Sequence, residues 1–193
     1  VLYDRGTASA SHAMRPVYMP AAMTGSYTIP DGVDVIPRSA FAGSNISRII
    51  IPESVTTIES EAFANCFNLS SVVFSNPTAK GQLTIGSRAF MNCTSLTAIT
   101  FPSRLTDISL NRINSSITAG SNIDSVDDAI SYSDDAFLVD EDAHDAVLTA
   151  VNVTDGGAYS STDGILYKGN TLVYYPAAKP MPENFAIPTS VNT

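Results

Sequence analysis

Positive charge is scarce in this sequence: ten Lys and Arg stand against nineteen Asp and Glu, a formal charge of −9 over 193 residues. That balance argues against nucleic acid or an anionic membrane surface as the partner. Charged residues of both signs reach only 15%, so the folded surface must be largely neutral and polar. No apolar run is longer than a few residues, which excludes a transmembrane helix and predicts no membrane insertion by this segment. Val1 stands without an initiator Met or a signal-like stretch, so the chain reads as a mature or excised piece. HExxH, GxSxG, Walker and Rossmann patterns are all missing, and the Asp155–Gly157 and Asp163–Gly164 segments read as turns rather than phosphate loops. What is present is a hydrophobic fraction of 44%, enough for a core and too much for disorder.

That hydrophobic content repeats. "IPDGVDVIPRSAFAGSNISRIII" (29–51) is followed by "IPESVTTIESEAFANCFNLSSVVF" (51–74) and "LTIGSRAFMNCTSLTAITFP" (83–102). An Ala-Phe pair marks the register at Phe41, Phe63 and Phe90, in steps of 22 and 27 residues. The longer step carries "NPTAKG", a short added loop near Pro77. In "LSSVVF" and "LTAITF" the apolar residues Leu69, Val72, Phe74 and Leu96, Ile99, Phe101 point one side of a short strand into a core. Pro52 and Pro102 then end each strand, because proline cannot donate to a ladder. Val55 and Ile58 add a second apolar pair, and Ala62 with Phe63 fills the interior under a tight turn. One repeat cannot bury its apolar face alone; stacked neighbours can, which predicts a solenoid. Parallel strands are expected at about 46–51, 69–74, 96–101 and 148–153, the last from "LTAVNV". Phe41, Phe63, Phe90 and Phe137 should form one buried column.

The pattern Ile-Pro-x-Ser-Val-Thr-x-Ile-x-x-x-Ala-Phe-x-x-Cys-x-x-Leu-x-x-Val resembles the BspA-like leucine-rich repeats, also found in treponemal surface proteins. The resemblance covers roughly 27–108 and resumes at Leu148. It implies a leucine-rich-repeat solenoid, right-handed and mostly β, with short parallel strands and few short helices. It also implies extracellular or cell-surface exposure, in a bacterium, and contact with a host or its matrix. Between 109 and 147 the pattern degenerates: "SYSDDAF" keeps the Ala-Phe anchor at Phe137, but Phe137 to Leu148 is eleven residues, against six from Phe63 to Leu69. A short helix is expected near 124–130.

The ends suggest a second module. "DGILYKGNTLVYYPAAK" (163–179) alternates apolar and polar residues about Lys168-Gly169-Asn170, a hairpin signal. The start of the chain aligns with it, Leu2 on Leu166, Tyr18 on Tyr175, Pro20 on Pro176 and Ile29 on Ile187, with a longer early hairpin at "SASHAM". The chain therefore reads as an excerpt from a longer array. Four segments result: a hairpin and lead-in (1–26), repeats (27–108), a degenerate repeat with an acidic insert (109–147), and a strand, hairpin and start of a further repeat (148–193).

Candidate chemistry is thin. Cys66 and Cys93 share a repeat position, and adjacent strands about 4.8 Å apart would permit a disulfide. Equivalent stacked side chains point parallel, however, so two buried reduced thiols are expected, with the disulfide as the alternative. Nine Asp and Glu crowd into 124–145, Asp134, Asp135, Asp140, Glu141 and Asp142 among them. The EF-hand spacing fails there for want of the central Gly and final Glu, so a solvated loop without metal is expected. His12 and His144 have no accompanying nucleophile motif. Sequons at Asn45, Asn68, Asn92, Asn114 and Asn152 would matter only in a eukaryotic source. No cofactor is expected.

The functional candidate is instead a face. Between the core anchors, Arg48 and Ile50, Ser71 and Val73, Ala98 and Thr100, and Ala150 and Asn152 should point outward from the concave sheet. Small and nearly uncharged, this surface loses little hydration on contact and suits a protein or a glycan. Three functions compete: a monomeric surface module for recognition or adhesion, a structural spacer, or an enzyme using carboxylates of the acidic insert. The face favours the first.

Overall fold

The computed structural model describes residues 2–4, 15–18, 20, 22–109, 136–137, 147–176, 178–180 and 182. The fold is a β-solenoid of stacked turns with no helix among these residues. The expected helix at 124–130, the acidic cluster with His144, His12, Asn114 and the repeat opening after Phe185 lie outside them.

Each turn contributes one longer strand and one short one. The longer strands are β3 (Thr24–Thr28), β5 (Asn45–Ile51), β7 (Ser71–Phe74), β9 (Ala98–Phe101) and β11 (Ala150–Val153). The short ones, β4 (Val35–Ile36), β6 (Thr57–Ile58), β8 (Leu83–Ile85) and β10 (Leu105–Ile108), form a second parallel sheet in chain order. All pairings within both sheets are parallel. Three of the expected strands start two residues late, because Leu69, Leu96 and Leu148 turn the corner into the core before pairing begins. The main sheet is also split: β3-β5-β7 and β9-β11 are separate ladders, and the break coincides with the 27-residue step.

The core is a column of aromatic rings. Phe41, Phe63, Phe90 and Phe137 are all buried, and successive centroids lie 5.1, 5.3 and 5.8 Å apart with near-parallel planes. Tyr27 packs on one end of the column at 5.9 Å and Tyr174 on the other at 5.5 Å. Around it the backbone alternates its donors. Ala62, Ala64 and Cys66 N–H groups bond carbonyls within their own turn, whereas Glu61, Phe63 and Asn65 N–H groups donate to Ser87, Ala89 and Met91 of the next. Two residues per corner adopt positive φ to achieve this: Ser39 and Gly43, Glu61 and Asn65, Arg88 and Asn92, with φ between 56° and 68°. Each is the third residue of a four-residue turn, the position that favours Gly or Asn.

The loop at 75–82 is accommodated by a buried cation. Arg104, 4% exposed, occupies the corner position that Ser54 holds two turns earlier. Its Nη1 donates to the carbonyls of Val55 (2.6 Å) and Gln82 (3.0 Å), and Nη2 approaches that of Pro52 at 3.5 Å. One guanidinium thereby ties three successive turns together at the point where the regular spacing is broken. Burial lowers its pKa from the usual value, and the nearby Glu53 carboxylate partly restores it.

Past β11 the chain leaves the solenoid. β12 (Tyr159–Thr162), β13 (Ile165–Lys168) and β14 (Thr171–Tyr174) form an antiparallel meander, with the expected hairpin turn at Gly169-Asn170. Near the start, β1 (Leu2–Asp4) and β2 (Arg15–Tyr18) make a second antiparallel pair. Leu2 opposes Tyr18 and Leu166 opposes Tyr174, each followed at once by a register shift. The two hairpins are therefore equivalent, but with Tyr18 matching Tyr174. The sequence alignment with Tyr175 was one residue out, because two adjacent tyrosines precede Pro176.

Three substitutions test this account by chemical denaturation. Phe63→Ala should cost about 3–5 kcal/mol by opening the ring column. Ser39→Gly should stabilise by about 0.5–1 kcal/mol through relief of the left-handed backbone. Arg104→Met should lose about 1–3 kcal/mol as buried carbonyls lose their donor.

Candidate functional site

The main sheet places the expected face outward. Arg48, Ile50, Ser71, Val73, Ala98 and Thr100 alternate with buried Ile49, Ile51, Val72, Phe74, Ile99 and Phe101. Pairing is in register: Arg48 opposes Ser71 and Ile50 opposes Val73 on one ladder, while Ala98 opposes Ala150 and Thr100 opposes Asn152 on the other. Arg48, the one charge of the set, donates from Nη1 to Ser71 Oγ at 3.2 Å.

Ala150 and Asn152 are less open than the pattern implied. Both are half-buried, as are Ile50, Ser71 and Val73, whereas Arg48, Ala98 and Thr100 are exposed; at β11 the meander also seals the outer edge. Val151 N–H donates to the Gly164 carbonyl (2.8 Å), and Val153 N–H to Ser161 Oγ (3.0 Å). Gly164 passes so close that a Cβ there would lie 2.6 Å from that of Ala150, and a Cβ at Gly157 would collide with the Ser103 carbonyl. The exposed part of the face is therefore Arg48 on β5 with Ala98 and Thr100 on β9.

A second concavity went unforeseen. Over the short-strand sheet runs an open groove of about 360 Å³, with Arg38, Glu59 and Asp107 at its rim and Thr57, Ser60 and Thr84 beneath. Gly86 is in its lining, packed so closely on the preceding turn that a Cβ there would meet the Ser60 backbone nitrogen at 2.5 Å. The hydroxyls are paired along the stack, Thr84 Oγ1 with Thr57 Oγ1 at 3.4 Å and Ser87 with Ser60 at 3.5 Å. Arg38 Nη2 is held by Glu61 at 2.8 Å, and its backbone N–H donates to Glu59 at 2.8 Å. Strands of two to four residues leave little periodicity to read, which is why neither this sheet nor its groove was legible.

Cys66 and Cys93 are free and buried. With Ser44 they form one column, and each thiol donates to the phenylalanine carbonyl of the preceding turn: Cys66 to Phe41 at 3.0 Å, Cys93 to Phe63 at 3.3 Å. Burial raises both thiol pKa values above the ordinary 9.0. Of the sequons, Asn45 and Asn68 are exposed, Asn152 is half-buried, and Asn92 is 5% exposed with its amide bound to Asn65. Among the described residues no group of His, Cys, Asp and Glu is placed to hold a metal ion, and no helix is long and apolar enough to cross a membrane.

The thiols set a pH dependence. Unfolded cysteines ionise near 9.0, whereas the folded ones hold their protons to higher pH. Their contribution to stability is therefore intact below that value and declines as pH rises past it. Cys66→Ser with Cys93→Ser should keep the hydrogen bonds and flatten the decline between about pH 8.5 and 10 in urea titrations. A residual slope near pH 10 should remain from Tyr159 and Tyr167, which burial also raises.

Comparison with known proteins adds the following. The family profile described as BspA type leucine rich repeat region matches residues 22–138 in six copies, more than half of the chain. A leucine-rich repeat protein from Bacteroides capillosus shares 27% identity over 50% of this chain and 75% of its own, with a TM-score of 0.41. One from Eubacterium ventriosum shares 20% over 81% of this chain and 40% of its own, at 0.47. A leucine rich cell surface protein from Faecalibacterium prausnitzii shares 19% over 88% of this chain and 59% of its own, at 0.41. Curated proteins give no match. On the repeat pattern, the stacked turns and the family profile together, the chain belongs to the BspA-type leucine-rich repeat family.

Proposed function

We propose that this chain is a non-enzymatic recognition module, displayed at a bacterial cell surface and used for adhesion to protein or glycan. The observation that carries the reading is the outward face of β5, β7 and β9, in register between β5 and β7. Its residues are small, nearly uncharged and fixed by the buried residues between them. Such a face is cheap to desolvate, and rigid placement lowers the ordering cost of contact. It has no row of cations for phosphates. Affinity per module is modest and is multiplied when modules act together. A spacer role is the alternative, supported by the recurrence of the same bulged hairpin at two places in the chain.

Ser71→Arg combined with Thr100→Arg separates the two. Both side chains point outward, so the fold should survive, as read by circular dichroism and Tm. Adhesion to matrix proteins in a multi-module surface display should fall at least tenfold for a recognition face. Unchanged adhesion with intact folding would remove the face from consideration and favour the spacer.

A further inference from the structure

One residue of the solenoid is out of keeping with its surroundings. Phe67, 53% exposed, is the exposed large hydrophobic among the described residues. It sits four residues past its column phenylalanine, where neighbouring turns carry Asn45 and Thr94. Its backbone is fixed, since its carbonyl accepts from Ser95 Oγ at 2.6 Å. Amides are tied together on either side of it in sequence: Asn68 Nδ2 donates to Asn45 Oδ1 at 3.2 Å, and Asn92 Nδ2 to Asn65 Oδ1 at 2.8 Å. Across the three turns, residues 42–49, 64–71 and 91–98 carry a single charged side chain, Arg48, whose Nη1 donates to Ser71 Oγ at 3.2 Å.

We propose that this corner is a saccharide subsite, with the Phe67 ring as platform for the apolar C–H face of a neutral sugar and the Asn45–Asn68 amide pair holding its hydroxyls. The proposal rests on the recognition reading above and names the ligand class and a first point of contact. A sugar needs what is present: one flat apolar surface beside fixed groups that both donate and accept. Amides supply both roles, and their mutual bonds order them before the ligand arrives. A charged ligand would lose hydration here with one cation near by, Arg48, and that one already bonded to Ser71. A protein interface would need a larger apolar centre than a single ring provides. Asn68 is exposed, and its Oδ1 is not spent on the bond to Asn45.

The test is titration of the isotope-labelled chain with chitotetraose, cellotetraose and mannotetraose, following the side-chain amides of Asn45 and Asn68 by NMR. At least one neutral tetrasaccharide should shift them with a Kd of about 1 mM. Phe67→Ala should weaken binding at least tenfold and Phe67→Tyr should preserve it, with Tm unchanged in both because the ring is not core. No shift with any of the three at about 10 mM, or equal binding by Phe67→Ala, would overturn the subsite. Matrix adhesion that requires Phe67 without any saccharide response would also overturn it, in favour of a protein partner. Adhesion lost in the Ser71→Arg, Thr100→Arg variant would leave the recognition reading standing in each of those cases. Saccharide binding at Phe67 with adhesion indifferent to that variant would support the corner and move recognition away from the sheet.

Discussion

The stack depends on one requirement: at the Ala-Phe corner, alternate backbone N–H groups must meet carbonyls of the next turn while the rings between them stay in contact. A buried N–H without a partner is costly, so the spacing of turns cannot drift. The ring column demands the same spacing from the inside, with centroids between 5.1 and 5.8 Å along its phenylalanines. Two independent rulers agree, and the rest of the turn can vary. That is why a five-residue lengthening between Phe63 and Phe90 changes the loop but leaves the corner intact.

Where the turn does vary, side chains make the repair. Arg104 reaches into the widened corner and satisfies carbonyls of turns that a serine could not span. At other corners the same geometry is served by short hydroxyls, as when Ser54 donates to the Val33 carbonyl at 2.8 Å. The thiols of Cys66 and Cys93 belong to this class. They act as weak donors in a position that Ser44 fills in the first turn, so their chemistry is that of packing rather than of redox.

Much of this was readable from the chain itself. The Ala-Phe anchors, Leu69, Leu96 and the alternation in "LTAITF" specified the column, the long strands and the outward face, because each carries an apolar period. Gly43, Asn65 and Asn92 are types that tolerate positive φ, but the repeat pattern assigned them no corner role; at Glu61 and Arg88 the stack imposes that conformation against their preference. Arg104 looked like any surface cation, and its burial follows from a loop nearly thirty residues away in sequence. β3 reads "TGSYT" and is a strand only because β5 pairs with it. Phe67 falls at an unspecified position of the repeat pattern, between Cys66 and Leu69. Only the stacking shows that its position faces water.

The corner ladder also has a direction. From Phe41 to Ala62, from Phe63 to Ala89 and from Phe90 to Ala136, every cross-turn N–H points the same way along the stack. Peptide dipoles of about 3.5 D each, aligned in this manner, add rather than cancel. The corner is thus polar along the axis, carbonyl-rich toward the early end and amide-rich toward the late end, while Glu59, Gly86 and Ser109 N–H groups oppose it by donating back to Ile36, Ile58 and Ile85 of the preceding turn. Every further turn of the same kind would add to both sets, so the stack can lengthen while the two directions offset one another.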